Sequence, residues 1–435
     1  MTGFGSSVPA SRCTHADKTF SGSIRALACN FICAITVAWH FGRICGASTC
    51  GTAVPAIIRR SARSRRIGLT ENASRPQSID MNRLVSRTLS IRSFRQIGTV
   101  CICLLVSLHR CLGSVADDLK LEKSDFMRST AYRRVDRLAP NPAPSGAYSP
   151  VNIQWDVSHT GQWYIEEQRY GADAVAGGIS QGDTTAIDRG LKILRWGFDQ
   201  QQPDGSFNCP DAFHSTSFFV EAAAHACLML AASQYADQYK AEVDWLKPRI
   251  QAAALWMIQP SVEALGRRHN APYTHRRYLV AAALGESGVL CANQPLIGRS
   301  NDYIREGISL QEDPGINPEK GGYDCNYQAV GLAFAERYYD LVADDQLKQV
   351  LREMLRKGNA WLASRVRADG TLDTTGNTRV GSGQEISRNG VAKKISYSEV
   401  YRAFYGWSLI SGDPAFQQLA QKVFEGEAIY RSQLR

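Results

Sequence analysis

Twelve consecutive residues, Arg267 to Tyr278, read Arg-Arg-His-Asn-Ala-Pro-Tyr-Thr-His-Arg-Arg-Tyr and gather two histidines, four arginines, two tyrosines and an asparagine. Beyond residue 116 the chain has only five histidines, and two of them, His269 and His275, fall here. Cations hold carboxylates, while imidazole and phenol groups move protons, so the combination suits a site that handles an anionic substrate. An arginine-rich loop by itself ordinarily faces water. Such a loop has no use for Asn270, Tyr273, His275 and Tyr278 between the charges, and an apolar helical run, Leu279 to Leu284, follows directly.

Three further clusters have similar chemistry. Glu319 to Gln328 reads Glu-Lys-Gly-Gly-Tyr-Asp-Cys-Asn-Tyr-Gln. Gly321 and Gly322 allow a tight turn or a close approach of backbone to ligand, and either Asp324 or Asn326 can cap the helix that follows. Capping leaves Tyr323, Asn326, Tyr327 and Gln328 as a row of hydrogen-bonding groups suited to sugar hydroxyls and carboxylates. The segment Asn208 to Ser217 sets His214 at the start of a long apolar helix, as a ligand contact or as a satisfied core residue. The last cluster is Lys393-Lys394-Ile-Ser-Tyr397 with Arg402, after a Gly-, Asn- and Thr-rich stretch from Gly370 to Gly390 placed to cover a cleft. Lys393 and Lys394 read as surface charge, and the four-residue spacing of Tyr397, Tyr401 and Tyr405 reads first as core packing.

Three activities compete for these residues. In β-elimination on a polyuronate, Asn270 and a cation neutralise the C6 carboxylate, His275 or Tyr327 removes the C5 proton, and Tyr327 protonates the leaving O4. In hydrolysis two carboxylates flank the glycosidic bond. Asp183, Asp204, Asp211 and Asp324 are the candidates, and the His, Tyr and Asn clusters are then without a task. A non-catalytic glycan-binding module needs exposed tryptophan platforms, whereas Trp196, Trp256 and Trp407 sit inside helical patterns.

The elements that must position these groups are helices. Residues 1–80 are Ser- and Arg-rich with little acid and no sustained apolar period, as in a disordered extension or an upstream start wrongly assigned. Residues 81–116 have the order of a secretory signal peptide, with Arg83, Arg87, Arg92 and Arg95, an apolar core from Ile97 to Leu108, and small residues Gly113 to Ala116. The run is short for a membrane span, so no stable membrane insertion is expected after cleavage, and the mature chain is expected to be secreted or periplasmic. These 116 residues hold 15 of the 50 basic residues and 3 of the 41 acidic ones, which leaves the remainder at a formal charge of −3. The chain's apparent basicity therefore gives no reason to expect nucleic-acid binding. Cys209, Cys227, Cys291 and Cys325 show no zinc-ligand spacing, and they are compatible with up to two disulfides or with free thiols.

Residues 117–150, with Pro140, Pro142, Pro144 and Pro150, read as a linker or surface arm. From 151 to 435 helical patterns recur at Thr185–Gln200, Ser215–Tyr235, Lys240–Ile258, Tyr273–Leu284, Gln328–Val342, Asp345–Arg365, Tyr397–Ser411 and Pro414–Arg431. Gly266 and the Gly285–Pro318 region read as loops. Several helices are apolar on two faces and no fixed-period repeat occurs. The expected architecture is therefore all-α, an (α/α) toroid of antiparallel helix pairs with its polar clusters at one end.

The His-Asn-Ala-Pro-Tyr-Thr-His-Arg-Arg-Tyr and Tyr-Asp-Cys-Asn-Tyr-Gln segments in an exported helical chain resemble the (α/α)-toroid polysaccharide lyases, in particular polysaccharide lyase family 38, whose members act on alginate or glucuronan. The resemblance covers roughly Trp155 to Arg431. It implies Asn270 as carboxylate neutraliser, His275 as base and Tyr327 as acid, with His269 as the alternative base. It also implies Arg276, Gln328 and His214 as sugar contacts; Tyr273, Tyr323, Asn326, Tyr397 and Arg402 complete the candidate binding set. It implies neither metal nor cofactor, and an anionic polysaccharide as partner.

Overall fold

The computed structural model describes Tyr148 and residues 164–387 and 390–433. The extension and the signal peptide read from the sequence lie outside the described residues, as does all of the arm except Tyr148. The described chain is all-helical, with eleven α-helices, two short 3-10 turns at Ile165–Arg169 and Gly381–Gly383, and only isolated β-bridges.

Ten of the helices form five antiparallel hairpins. The first is α1 (Tyr170–Gln181) with α2 (Thr184–Asp199), and the second is α3 (Ala212–Ala231) with α4 (Lys240–Met257). A short α5 (Pro260–Asn270) precedes the third pair, α6 (His275–Cys291) and α7 (Gln294–Ser309). The last two are α8 (Cys325–Leu341) with α9 (Asp345–Ala363), and α10 (Tyr397–Ser411) with α11 (Pro414–Gln433). One helix of each pair stands beside its counterpart in the next, so that α1, α3, α6, α8 and α10 make an inner row and their partners an outer one.

Composition sorts the layers. In α3, 17 of 20 residues are buried and in α6, 14 of 17, against 8 of 19 in α9, whose buried Leu347, Leu351, Met354, Leu355 and Leu362 form one stripe. A helix that is apolar all round must be covered on both sides, whereas a one-sided helix is an outer wall. The first hairpin closes tightly. Gly182 takes the left-handed conformation at φ 73° that ends α1, and Asp183 Oδ1 accepts from Thr185 and Ala186 N to start α2. Glycine at position 190 lets the two backbones touch, since a Cβ there would stand 2.4 Å from the Gly171 carbonyl.

Three helices depart from the sequence reading. Tyr170–Gln181 went unread because its Gly and Ala content gives little apolar contrast. Pro260–Asn270 absorbs Gly266, whose missing side chain makes room for the Phe213 ring. The Gly285–Pro318 region is mostly helical: α6 continues to Cys291, and Asn293 caps α7 by accepting from Leu296 N. Cys209, Cys227, Cys291 and Cys325 are all free thiols, the second and fourth buried, so no disulfide forms among them. Among the described residues no helix is long and apolar enough to cross a membrane.

Candidate active site

A cavity of about 910 Å³ opens among the inner helices. All five contribute to its wall: Ala172 and Ala176 from α1, His214 and Phe218 from α3, His275 and Arg276 from α6, Tyr327 and Phe334 from α8, and Arg402 from α10.

At their N-terminal ends, α6 and α8 bring two aromatic groups together. His275 is the first residue of α6 and Tyr327 lies in the first turn of α8, with ring centroids 4.7 Å apart. His275 is 2% exposed, and its Nδ1 stands 2.6 Å from Glu319 Oε1, which also accepts from the His275 backbone N at 3.1 Å. A carboxylate only accepts, so Nδ1 carries the hydrogen and Nε2 is left as the basic nitrogen. Burial lowers the His275 pKa below its ordinary value. Glu319 acts in the opposite direction, while Arg379 and Arg276 reinforce the lowering.

Glu319 reaches this position through a tight turn. Lys320 and Gly321 both adopt positive φ, 51° and 77°, and the Glu319 and Gly322 backbones exchange hydrogen bonds across them. Lys320 N donates to Pro272 O and Thr274 N to Pro318 O, which lays the turn alongside Tyr273.

Cations surround Tyr327. The Arg379 guanidinium lies 3.5 Å from its ring centroid, and Lys393 Nζ donates to its hydroxyl at 3.1 Å. Glu385 ties these cations together. Its Oε1 accepts from Lys393 Nζ (2.6 Å) and Arg379 Nη2 (3.1 Å), and its Oε2 from Arg379 Nε (2.8 Å) and Lys320 Nζ (2.9 Å). Burial works against its charge, but these three partners hold the Glu385 carboxyl far below the usual carboxylate range. Arg379 also donates to Glu319 Oε2 at 3.3 Å, so the groups that orient His275 and Tyr327 form one network.

Asp324 fastens that network to the helix. Its Oδ1 caps α8 by accepting from Asn326 and Tyr327 N, and its Oδ2 accepts from Arg379 N (3.0 Å) and Val380 N (2.7 Å). All four bonds are to backbone, and Asp324 is fully buried, so it is a structural clip rather than a free acid. Of the other carboxylates read as hydrolytic candidates, Asp183 caps α2 and Asp204 accepts from Ser206 in a turn; Asp211 alone lines the cavity, 3.8 Å from Arg276.

The remaining sequence candidates divide. His214, Tyr273, Arg276 and Arg402 line the cavity with His275 and Tyr327. Arg276 lies 4.2 Å over the Tyr273 ring, donates to Asn270 Oδ1 at 2.8 Å, and has a buried Nε without a hydrogen-bond partner. Asn270 itself is 4% exposed and not part of the cavity wall, because its amide oxygen is taken by Arg276. His269 is half exposed outside the wall, its Nδ1 3.9 Å from Asp211. Four more candidates are structural. Tyr323 donates to Thr375 O, Asn326 accepts from Ser396 N, and Gln328 accepts from Asn317 N while donating to Gly315 O. Tyr397 accepts from Leu372 N, with burial pushing its hydroxyl up to about 12. The sequence reading missed Glu319 and Arg379 as site residues and took Lys393 for surface charge. Glu319 at least stood at the edge of a cluster, whereas Arg379 lies in a polar loop with no signal of its own.

The inner part of the wall is different in character. Phe218 and Phe334 face each other with centroids 6.1 Å apart, and beyond them Arg337 Nη1 pairs with Glu221 Oε1. His225 Nδ1 stands 3.0 Å from Glu286 Oε2 in the same region. Burial raises the Glu221 carboxyl, with Arg337 opposing and Glu286 adding to the rise.

Among the described residues no group of three or more His, Cys, Asp or Glu is arranged to hold a metal ion. Set against family models, curated proteins and solved structures, the chain matches none of them. The class it defines is thus structural, an all-helical double layer with a cationic and aromatic cleft among its inner helices.

Proposed function

We propose that the cleft is the active site of an exported lyase that cleaves β-1,4-linked polyuronates, alginate or glucuronan, by β-elimination, and that the hairpin row closes as an (α/α) toroid. The observation that carries the reading is the His275–Tyr327 pair: an imidazole kept neutral by burial and aimed by Glu319, against a phenol held by Arg379 and Lys393.

In this mechanism Arg276 replaces Asn270 as the group that meets the C6 carboxylate, since its side chain lines the cavity and Asn270 serves to orient it. Neutralising the carboxylate acidifies the C5 proton. His275 Nε2 takes that proton, the C5–H electron pair becomes the C4=C5 double bond, and the C4–O4 bond breaks. The Tyr327 hydroxyl accepts from Lys393, so its own hydrogen is directed outward, where it protonates O4. Return of the proton from His275 to the Tyr327 oxygen, by way of solvent water, resets the site. Hydrolysis is the weaker reading, because three of its four candidate carboxylates are spent on caps and a turn.

Incubation with alginate, glucuronan and pectate tests the proposal, since the 4,5-unsaturated product absorbs in the ultraviolet. Reducing ends that appear without that absorbance favour the hydrolase instead. Tyr327→Phe removes one hydroxyl and is expected to lose most turnover while oligosaccharide binding persists. His275→Ala is expected to lose roughly 10²- to 10⁴-fold in kcat. A fully active Tyr327→Phe removes the acid from the mechanism.

A further inference from the structure

The cleft continues past the groups assigned to chemistry. On α8, Phe334 and Arg337 lie seven and ten residues after Tyr327, about 10 and 15 Å further along the helix at the rise of about 1.5 Å per residue. On α3 the wall runs from His214 through Phe218 to Glu221 and His225. Phe218 meets Phe334, and Glu221 meets Arg337 three residues further along each helix, so α3 and α8, which flank α6, run the same way and meet by these side chains across the cleft. Val330 and Ala333, between Tyr327 and Phe334 on α8, also line the cavity, so with Phe218 and Phe334 the middle of the wall that α3 and α8 form is an apolar belt. Charge lies at both ends of the belt: Arg276, Arg379 and Lys393 beside His275 and Tyr327, and Arg337, Glu221 and the His225–Glu286 pair further along α3 and α8.

A solvated apolar belt between two ionic tiers has a specific use. A pyranose ring has an apolar C–H face and a polar rim, so it stacks on flat aromatic surface while its hydroxyls and carboxylate reach charged groups nearby. Phe218 and Phe334 are only partly buried, on two helices most of whose apolar residues are buried. Arg169 lies 5.0 Å over the Phe218 ring and Arg337 6.0 Å from the Phe334 ring, which puts a guanidinium beside each stacking surface. We propose that the Phe218–Phe334 belt, with Arg169 and Arg337, is a second sugar subsite that binds a hexuronate unit of the same chain beyond the one that reacts. The proposal deepens the polyuronate reading and rests on it for the identity of the sugar.

Calorimetric titration of the full chain carrying Tyr327→Phe, which blocks turnover, tests the subsite with a uronate disaccharide and tetrasaccharide. Adding Phe334→Ala is expected to weaken tetrasaccharide binding up to about tenfold, the size of one aromatic stacking contact, and to leave the disaccharide unchanged. With Tyr327 restored, the same substitution is expected to raise KM for the tetrasaccharide at constant kcat. Phe334→Leu keeps the side chain apolar but not flat and should share the loss, whereas Phe334→Tyr should restore binding; far-ultraviolet circular dichroism checks that each variant is folded. Tetrasaccharide affinity unchanged in folded Phe334→Ala and Phe334→Leu, in a protein that does cleave polyuronate, overturns the subsite and leaves the lyase standing. Tetrasaccharide binding that weakens in Phe334→Ala, in a protein that forms no unsaturated product, keeps the subsite and sinks the lyase. Failure of the folded protein to bind either oligosaccharide overturns the subsite outright.

Discussion

At the scale of single residues the site depends on how Glu319 divides its two oxygens. One fixes the hydrogen of His275 on Nδ1, and the other meets Arg379, which in turn covers Tyr327. Because burial lowers the His275 pKa below 6.5, the imidazole remains a base under conditions where an exposed histidine would be protonated. The acid limb of kcat/KM is therefore expected below pH 6.5. The stability sign agrees: protons bind His275 more readily in the unfolded chain, so its contribution to stability is present above pH 6.5 and declines as pH falls through that window. Glu319→Gln removes the charge that opposes this lowering, so the acid limb should move lower still. With the tautomer no longer enforced, kcat should drop by roughly 10²- to 10⁴-fold, comparable to loss of the orienting carboxylate in other His-based sites. A pH–rate profile checks both, and an acid limb above 6.5 would exclude His275 as the base. The sequence named His275 and Tyr327 but not Glu319 or Arg379, since a lone acid before a Gly-Gly turn looks the same whether it faces water or a histidine.

At the scale of elements, Asp324 couples a helix start to the loop that carries Arg379. Residues Gly370 to Gly390 were read as a cover for a cleft, and Glu385, Ile386 and Ser387 do line the cavity. The backbone at Arg379 and Val380 is held by two bonds to Asp324 Oδ2, while Glu385 and Glu319 hold the Arg379 side chain. Asp324→Asn can keep the Oδ1 cap but cannot accept through its amide nitrogen, so it should release the loop. The expected result is a large loss of kcat with little change in melting temperature. Asp324→Ala should lose activity similarly and also the cap, worth about 0.5–2 kcal/mol in thermal unfolding. Equal stability in the two variants would show that the cap does not matter here. Capping at position 324 was legible in the sequence because an Asp before an apolar run is a standard helix start; its second bond was not, because Val380 is 56 residues away. For the same reason Gln328, Asn326 and Tyr397 were read as sugar contacts, although the chain uses their polar atoms to satisfy distant backbone groups.

At the scale of the whole molecule, every inner helix of the row touches one cavity. A ligand in the cleft therefore contacts the first hairpin and the last, which are far apart in the order of neighbours. Saturating the Tyr327→Phe variant with a tetrasaccharide is expected to raise the free energy of opening by up to about 2.7 kcal/mol at 100 times Kd. Hydrogen exchange should report the added protection in α1 and α10 as well as in α6 and α8. Protection confined to α6 and α8 would mean that the ligand sits only beside His275 and Tyr327.

The sequence by itself determined the helical class, the long buried helices, and the concentration of imidazole, phenol and guanidinium groups near residues 270 and 325. These are local properties, set by apolar period, turn residues and composition. The tertiary structure alone decided which polar atoms face the cavity. A buried donor or acceptor must find a partner wherever the fold supplies one, so Asn270 turns to Arg276 and Gln328 to Asn317, while Lys393 swings from the surface to Tyr327. Those pairings join residues up to 66 positions apart, a distance over which neither period nor spacing says which side chains will meet.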